Sequence, residues 1–314
     1  MAAEQHLYRH TKLTGIDMVI QVIMVVFITC TLACNVYPFI YLFSASVSNP
    51  DTLLNGQMWL FPTAFELDGY IETFQFNLLW SGYYNSFIYT FMGAGIQIAI
   101  VLSTGFALSC KDMPGKFYII LYCLIPGWIG SSGMDLPMYL LYTKLGLIDT
   151  RFGLIIFGLV DFGSILTCRI VFKSSCPWEL HEQAKLDGCS HLRLFLQVAI
   201  PMSTSLVVIQ VFQRITSCWG SAWNSTLYMS DKWKWPLPAV VADLQQKGLM
   251  YEEMLSGLTP MPPGMSYKDV KKEVEKWQRI RYCVVICQAL PMIIITPFMQ
   301  KYMKRGVMIG SLRD

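Results

Sequence analysis

The chain has 314 residues, of which 54% are hydrophobic and only 14% charged, with a formal net charge of +3 and a mean hydropathy of +0.43. A soluble domain carries about 25% charged residues, so lipid is the expected solvent for much of this surface. The small net charge, with no basic run interleaved with aromatics, leaves no electrostatic footprint for nucleic acid.

Six stretches reach the about 20 mainly apolar residues that a membrane-crossing helix needs. The first, roughly 18–43, follows a polar segment, 1–17, and has no small-residue cleavage site after a short core. It therefore reads as a retained helix and not as a cleaved signal. The segment 44–83 holds Asp51, Glu66, Asp68 and Glu72 but no Lys or Arg. Spans follow at roughly 84–109, 117–141 and 152–172. Pro38, Gly93, Gly95, Pro126 and Pro291 fall inside spans, where neighbouring helices can satisfy the freed backbone groups.

Between the fourth span and the fifth (roughly 202–222) lies a charged loop, 173–201, much longer than a bare connector of two to about eight residues. Ser174, Ser175 and Pro177 predict a helix start. "PWELHEQAKLD" then supplies good helix formers, and Gly188 supplies a left-handed stop. A second helix is expected from Ser190, with Leu192, Phe195, Leu196 and Ala199 as an amphipathic stripe. Such a loop suits either docking into a groove of another protein or lying on the membrane surface.

After the fifth span, 223–281 carries nine basic and seven acidic residues. It begins with Trp223, Tyr228, Trp233 and Trp235 and continues through a proline-rich turn to a charged helix starting near Ser266. It reads either as an interfacial aromatic belt with a solvated helix or as a docking element for an extracytoplasmic partner. The last span is roughly 282–300. Basic residues at Arg9, Lys12, Lys111, Lys116, Lys173, Lys185, Arg193, Lys301, Lys304, Arg305 and Arg313 fall on alternate loops, which places both termini in the cytoplasm. The basic 223–281 stretch then lies outside, as long loops translocate largely regardless of charge.

Ionisable residues inside spans are costly and usually line a bundle interior. Asp161 and Arg214 sit at matched depths of spans four and five, which suggests a pair flanked by Gln210 and Gln213. The pair either borders a pathway or simply ties two helices together. The ten cysteines have no zinc-like spacing and read as small apolar fillers. The four histidines lie outside the spans and form no H-E-x-x-H, which argues against a membrane-embedded enzyme.

The loop's E-x-A-x-x-D-G pattern, at Glu182, Ala184, Asp187 and Gly188 with Ile200-Pro201 following, is similar to the EAA loop of ATP-binding cassette (ABC) importer permeases. Gln183, Cys189 and the "AIP" ending depart from that pattern. "YYNSFIYTFMGAGIQIAIVLSTGFALSCKDMPGK", "LPMYLLYTKLGLIDT", "WGSAWNS" and "QKYMKRGVMIGSLRD" resemble, in order, segments of the maltose-type (MalG-like) carbohydrate permeases. "YPFIYLFSASVSNPD" favours the branch often called LplC- or YtcP-like. The resemblance implies an all-α membrane protein with six transmembrane helices of the type I importer fold and a cytoplasmic coupling helix.

It further implies a non-catalytic subunit in a bacterial plasma membrane, moving a sugar or oligosaccharide inward. Its partners would be a second permease, two ATPase subunits that hold ATP and magnesium, and an extracytoplasmic solute-binding protein, with lipid around the spans. The chain itself lacks the G-x-x-x-x-G-K-[ST] phosphate loop, and no cofactor is expected on it. Glu182, Ala184, Asp187 and Gly188, with Leu180 and Lys185, would meet the ATPase. Asn35, Tyr37, Asn85, Gln97, Trp128 and Tyr139 are candidates to meet sugar, and some are expected to be packing residues instead. Amino-acid or phosphonate importers share the loop motif, and a secondary transporter would instead want inverted repeats.

Overall fold

A computed structural model describes residues 15–54, 56–62, 65–129 and 135–311. Segment 1–14, residues 130–134 of the 117–141 stretch and the Trp128 side chain thus lie outside the described residues. The chain order is α1 (Gly15–Ser46), α2 (Pro50–Leu54), α3 (Asp68–Phe74), α4 (Asn77–Ser109), α5 (Lys116–Ile129), α6 (Asp135–Lys144), α7 (Arg151–Ile156) and α8 (Phe162–Ser175). It continues with α9 (Trp178–Leu186), α10 (His191–Leu194), a π-turn (Phe195–Ala199), α11 (Ile200–Met202) and α12 (Thr204–Gly220). The last elements are α13 (Trp223–Tyr228), a 3₁₀ turn (Lys232–Lys234), α14 (Leu237–Leu255) and α15 (Tyr267–Ser311).

Among the described residues, α1, α4 and the apolar part of α15 are each long and apolar enough to cross a membrane by themselves. The expected fifth span is α12, entered through an 86° bend from the helical run His191–Met202. The expected fourth span is not one helix. It is α7 and α8 separated by a break at 157–161, where Gly158 takes φ +67°. The charged helix expected near Ser266 is not a separate element either. It runs without interruption into the last apolar stretch as α15, with Asp269 Oδ2 accepting the Ser266 N–H at 3.1 Å at its start.

A smaller apolar core of Met254, Val270 and Val274 joins α14 to α15, and two large ones organise the bundle, one toward each end of α4. One gathers Val101, Leu102 and Phe106 of α4, Ile165, Cys168 and Phe172 of α8, and Leu194 and Ala199 of the charged loop. There α4 and α8 touch backbone to backbone at Gly105, where an added Cβ would lie 2.5 Å from Cys168 Cβ and 3.2 Å from Arg169 N. The other joins Leu79 of α4, Trp219 of α12, Leu237, Val240 and Val241 of α14, and Ile280 and Val284 of α15. Cys283 and Cys287, four apart, both pack fully buried, and all ten cysteines are free thiols. α1 is mostly exposed and meets the bundle near its C-terminal end, where Tyr41 packs edge-on against Tyr282 and Cys283 Sγ donates to Ser46 O.

The 223–281 stretch is folded onto α4. Asn85 Nδ2 donates to Trp233 O (2.7 Å) and Trp235 O (3.1 Å), Tyr89 OH donates to Lys234 O, and Ser86 Oγ accepts the Leu237 N–H. Tyr228 and Trp235 are buried there, so only part of the aromatic set, such as exposed Trp233, is left for an interfacial belt.

Two carboxylates fasten this segment. Asp149, a non-glycine residue at φ +59°, accepts the Ser230 N–H (2.5 Å) and gives its own N–H to Tyr228 O. Accepting that backbone N–H holds its carboxyl below the usual aspartate value. For Asp243, burial pushes the carboxyl up, but Lys232 (2.7 Å) and Lys247 (3.2 Å) outweigh it and leave it lowered. A depressed folded value stabilises fully above the unfolded value of about 3.9, and that stabilisation is lost as pH falls through the folded values. Hydrogen exchange of 228–247, corrected for intrinsic rates, should therefore be constant from about pH 7 to 5 and accelerate below about 4. The double substitution Asp149→Asn with Asp243→Asn should flatten that profile. An equally steep acid loss in the double variant would place the cause elsewhere.

Candidate functional site

A cavity of about 1000 Å³ separates the two apolar cores. Its walls come from α4 (Gln97, Val101), the 157–161 break (Gly158, Asp161), α8 (Ser164, Thr167) and α12 (Gln210, Gln213, Arg214, Ser217). The sequence pattern explains why it is polar. Gln97 falls inside α4, and Gln210, Gln213 and Arg214 inside α12, so their polar groups meet between the two helices.

Asp161 and Arg214 do reach the same cavity, but not as the expected pair. Asp161 caps α8, accepting the Ser164 N–H (3.2 Å) and the Ser164 hydroxyl (2.7 Å). No ion pair to Arg214 forms among the described residues. Gln210 is 6% exposed and Gln97 5%, while Gln213 is exposed to the cavity. Three other candidates lie elsewhere. Asn85 is used to hold the 223–281 segment, Tyr139 stacks on Tyr228 (centroids 5.9 Å), and Asn35 donates to Thr31 O on exposed α1. Tyr37 is likewise on α1, stacked on Tyr41. Ser164, Thr167 and Ser217 were not singled out from the sequence. The Asp161-x-x-Ser164 helix-start signal could have found the first of them.

The charged loop has a second built geometry. α8 runs through Ser174 and Ser175, so these serines do not cap α9, and Pro177 stands at its N-cap instead. Gly188 ends α9 at φ +73°, with Cys189 N–H to Ala184 O (2.9 Å) and Gly188 N–H to Lys185 O (3.1 Å), the paired bonds of a Schellman stop. Ser190 Oγ then accepts the Arg193 N–H and opens α10. The π-turn re-aims the following side chains. Leu194 and Ala199 are buried and Phe195 packs on Phe106, whereas Leu192 and Leu196 point out, 67% and 52% exposed.

α9 is attached to α4 by a ring stack. His181, buried, lies nearly parallel to Phe106 (5.5 Å) on one side and Trp178 (5.3 Å) on the other. Lys111 sits over the Trp178 ring, and Trp178 Nε1 donates to Glu182 Oε1. Leu180 and Ala184 turn toward the core, while Glu182, Lys185, Leu186, Asp187 and Gly188 remain exposed, Leu186 at 88%. A helix inward-anchored by rings and outward-facing with mixed charge and a bare leucine presents a rigid surface to something else.

No protein-family model matches the chain. It is 27% identical over 311 residues to Protein LplC of Bacillus subtilis, covering 99% of both chains. It is 26% identical over 279 residues to the polygalacturonan/rhamnogalacturonan transport system permease protein YtcP of the same organism, covering 88% of this chain and 92% of that one. Among solved structures it matches a chain of a bacterial ABC transporter involved in the import of the acidic polysaccharide alginate. That match has a TM-score of 0.77 at 21% identity, covering 92% of this chain and 98% of the other. The likeness to carbohydrate-transport permeases read from the sequence is thus matched along nearly the whole chain, and the helical fold is that of an ABC transporter chain. The protein is a multi-pass membrane protein.

Proposed function

We propose that the protein is a permease subunit of an ABC importer that carries an oligosaccharide inward across a bacterial plasma membrane. One observation carries this reading: a polar cavity between two apolar cores, in a chain that matches a transport-system permease over most of its length. In this reading six spans cross the bilayer, the broken α7–α8 and the bent entry to α12 included, with both termini in the cytoplasm. The exposed face of α1 meets lipid and a second permease.

The loop 173–201 is then the seat of the ATPase. Glu182, Lys185 and Asp187 supply the charged contacts, the Gly188 stop fixes their spacing, and Leu180 and Ala184 hold α9 against the core. The chain hydrolyses nothing; ATP and magnesium belong to the partner. Movement of α9 passes through Trp178 and His181 to Phe106, and Phe106 lies nine residues along α4 from Gln97, about 14 Å of helix. The same loop packs on α8, which carries Asp161 at its other end. A displacement of α9 therefore changes two walls of the cavity at once. Such a change requires the ATPase to contact the two pore states with different free energies. The 223–281 segment, anchored on α4 by Asn85 and Ser86, faces the delivering binding protein.

The test is affinity capture of the whole complex from membranes in mild detergent. The expected result is a second permease and an ATPase in the eluate, with ATP hydrolysis stimulated by the cargo-loaded binding protein. A chain recovered alone, with no ATPase activity in any detergent that preserves its fold, would contradict the reading.

A further inference from the structure

We infer that Arg214 receives a carboxylate of the cargo, so that the cavity is built for an acidic saccharide bearing uronate groups. This inference rests on the permease reading and adds the chemical class of what is moved.

Four observations converge. A guanidinium is always charged at physiological pH, and an unpaired one in a low-dielectric bundle is costly. Arg214 has no ion-pair partner among the described residues, and its Nε is buried with no hydrogen-bond partner. The carboxylate on the same cavity wall, Asp161, already caps α8 through two bonds to Ser164. The guanidinium is also flanked by two residues without side chains. A Cβ at Gly158 would lie 3.7 Å from Nη1, and one at Gly93 would lie 3.7 Å from Nη2. Nη2 thus packs beside buried Gly93, with Cys218 Sγ on the same side, and Nη1 beside Gly158, while Nε is left without a partner.

Beside it, Gln97 and Gln210 are more than nine-tenths buried and line the same cavity, and Gln97 Oε1 has no partner. Their amides offer donors and acceptors to sugar hydroxyls, and of the two charged residues on the wall, Asp161 is already hydrogen-bonded to Ser164 while the Arg214 guanidinium is left for a ligand. Neutral hydroxyls would leave that charge uncompensated, whereas a carboxylate can meet it with two parallel hydrogen bonds. The volume, about 1000 Å³, is at the upper end of the usual ligand-pocket range of about 300–1000 Å³.

The experiment uses the complete transporter in vesicles, with ATP on the ATPase side and one preparation of binding protein throughout. The probes are radiolabelled trigalacturonate and a neutral galactose trimer. Wild type should favour the uronate by about ten-fold or more, R214Q should cut that ratio at least ten-fold, and R214K, which keeps the charge but not the two-donor fork, should fall between them. The ratio is taken within each preparation, so a variant that folds poorly changes both uptakes and not the ratio. An unchanged ratio in R214Q would overturn the inference, as would equal uptake of both trimers by wild type. Failure of wild type to take up either trimer would also overturn it. Chloride-dependent neutral uptake that R214Q abolishes would make the residue a seat for a small anion, again overturning it. ATPase retention in the same vesicles reports on the permease reading separately, so either can fail alone.

Discussion

His181→Ala should leave the ATPase bound and hydrolysing ATP while sugar uptake falls at least ten-fold. The ring sits between Phe106 of α4 and Trp178 of α9, at 5.5 and 5.3 Å. Each stacked aromatic contact contributes about 0.5–1.5 kcal/mol beyond its buried area. Removing the ring opens a gap between α9, the proposed ATPase seat, and α4, which lines the cavity. The exposed contacts at Glu182 and Asp187 are untouched, so docking survives and transmission does not. His181→Phe restores the stack without the imidazole nitrogens and should recover most uptake. Parallel measurement of hydrolysis and uptake separates the cases. Equal loss of both in His181→Ala would mean that the ring holds the fold alone.

Gly105→Ala should lower the melting temperature of the purified protein by about 6 °C, and Gly105→Leu should prevent its recovery. The Cβ added at Gly105 would meet Cys168 Cβ at 2.5 Å, Arg169 N at 3.2 Å and Ile165 O at 3.2 Å. Two of these are backbone atoms, which no rotamer change can clear. α4 and α8 must then separate, undoing the close approach that small residues permit in membrane bundles. Overpacking of this kind costs about 1–3 kcal/mol, and a large side chain more. At roughly 2 °C per kcal/mol for a chain of this size, the upper end corresponds to about 6 °C. Gly95→Ala, on the same helix with nothing within 4 Å, is the control. It should be neutral or stabilising by up to about 1 kcal/mol, because alanine favours helix over glycine. Equal shifts in the two alanine variants would mean that the crossing has slack.

The features legible in the sequence are those set by local chemistry. The apolar run at 18–43 is α1 with three residues more at each end, the glycine at 188 stops α9, and the serine at 190 caps α10. What escaped depends on distant partners or on small departures from helical geometry. Asn85 resembles a pathway residue until Trp233 and Trp235, 148 and 150 positions away, take its amide. Hydropathy ran straight through Gly158, because Leu159 and Val160 are as apolar as a continuous helix would be. The break shows only in the positive φ of the glycine and the cap at Asp161. The expected stripe of Leu192, Phe195, Leu196 and Ala199 assumed a 3.6-residue period throughout. The helix is instead interrupted by a five-residue π-turn after Leu194, the buried set includes Leu194, and Leu192 and Leu196 face outward. For the site, Gln97, Gln210 and Arg214 were readable as polar residues in apolar helices, whereas the commitment of Asp161 to its own helix was masked by the apolar run that surrounds its Asp-x-x-Ser cap signal.

The decisive quantity is the amount of ATPase retained per permease when the tagged complex is captured from membranes, compared among wild type, Glu182→Lys and Asp187→Lys. Both carboxylates are exposed on the α9 surface and its stop, and neither helps to fill the core, so charge reversal should leave folding and the second permease in place. One ATPase per permease in wild type, falling at least ten-fold in both reversals while the permease pair stays together, is the predicted result. Full retention in both variants, or no ATPase with wild type, would contradict a coupling role for this loop.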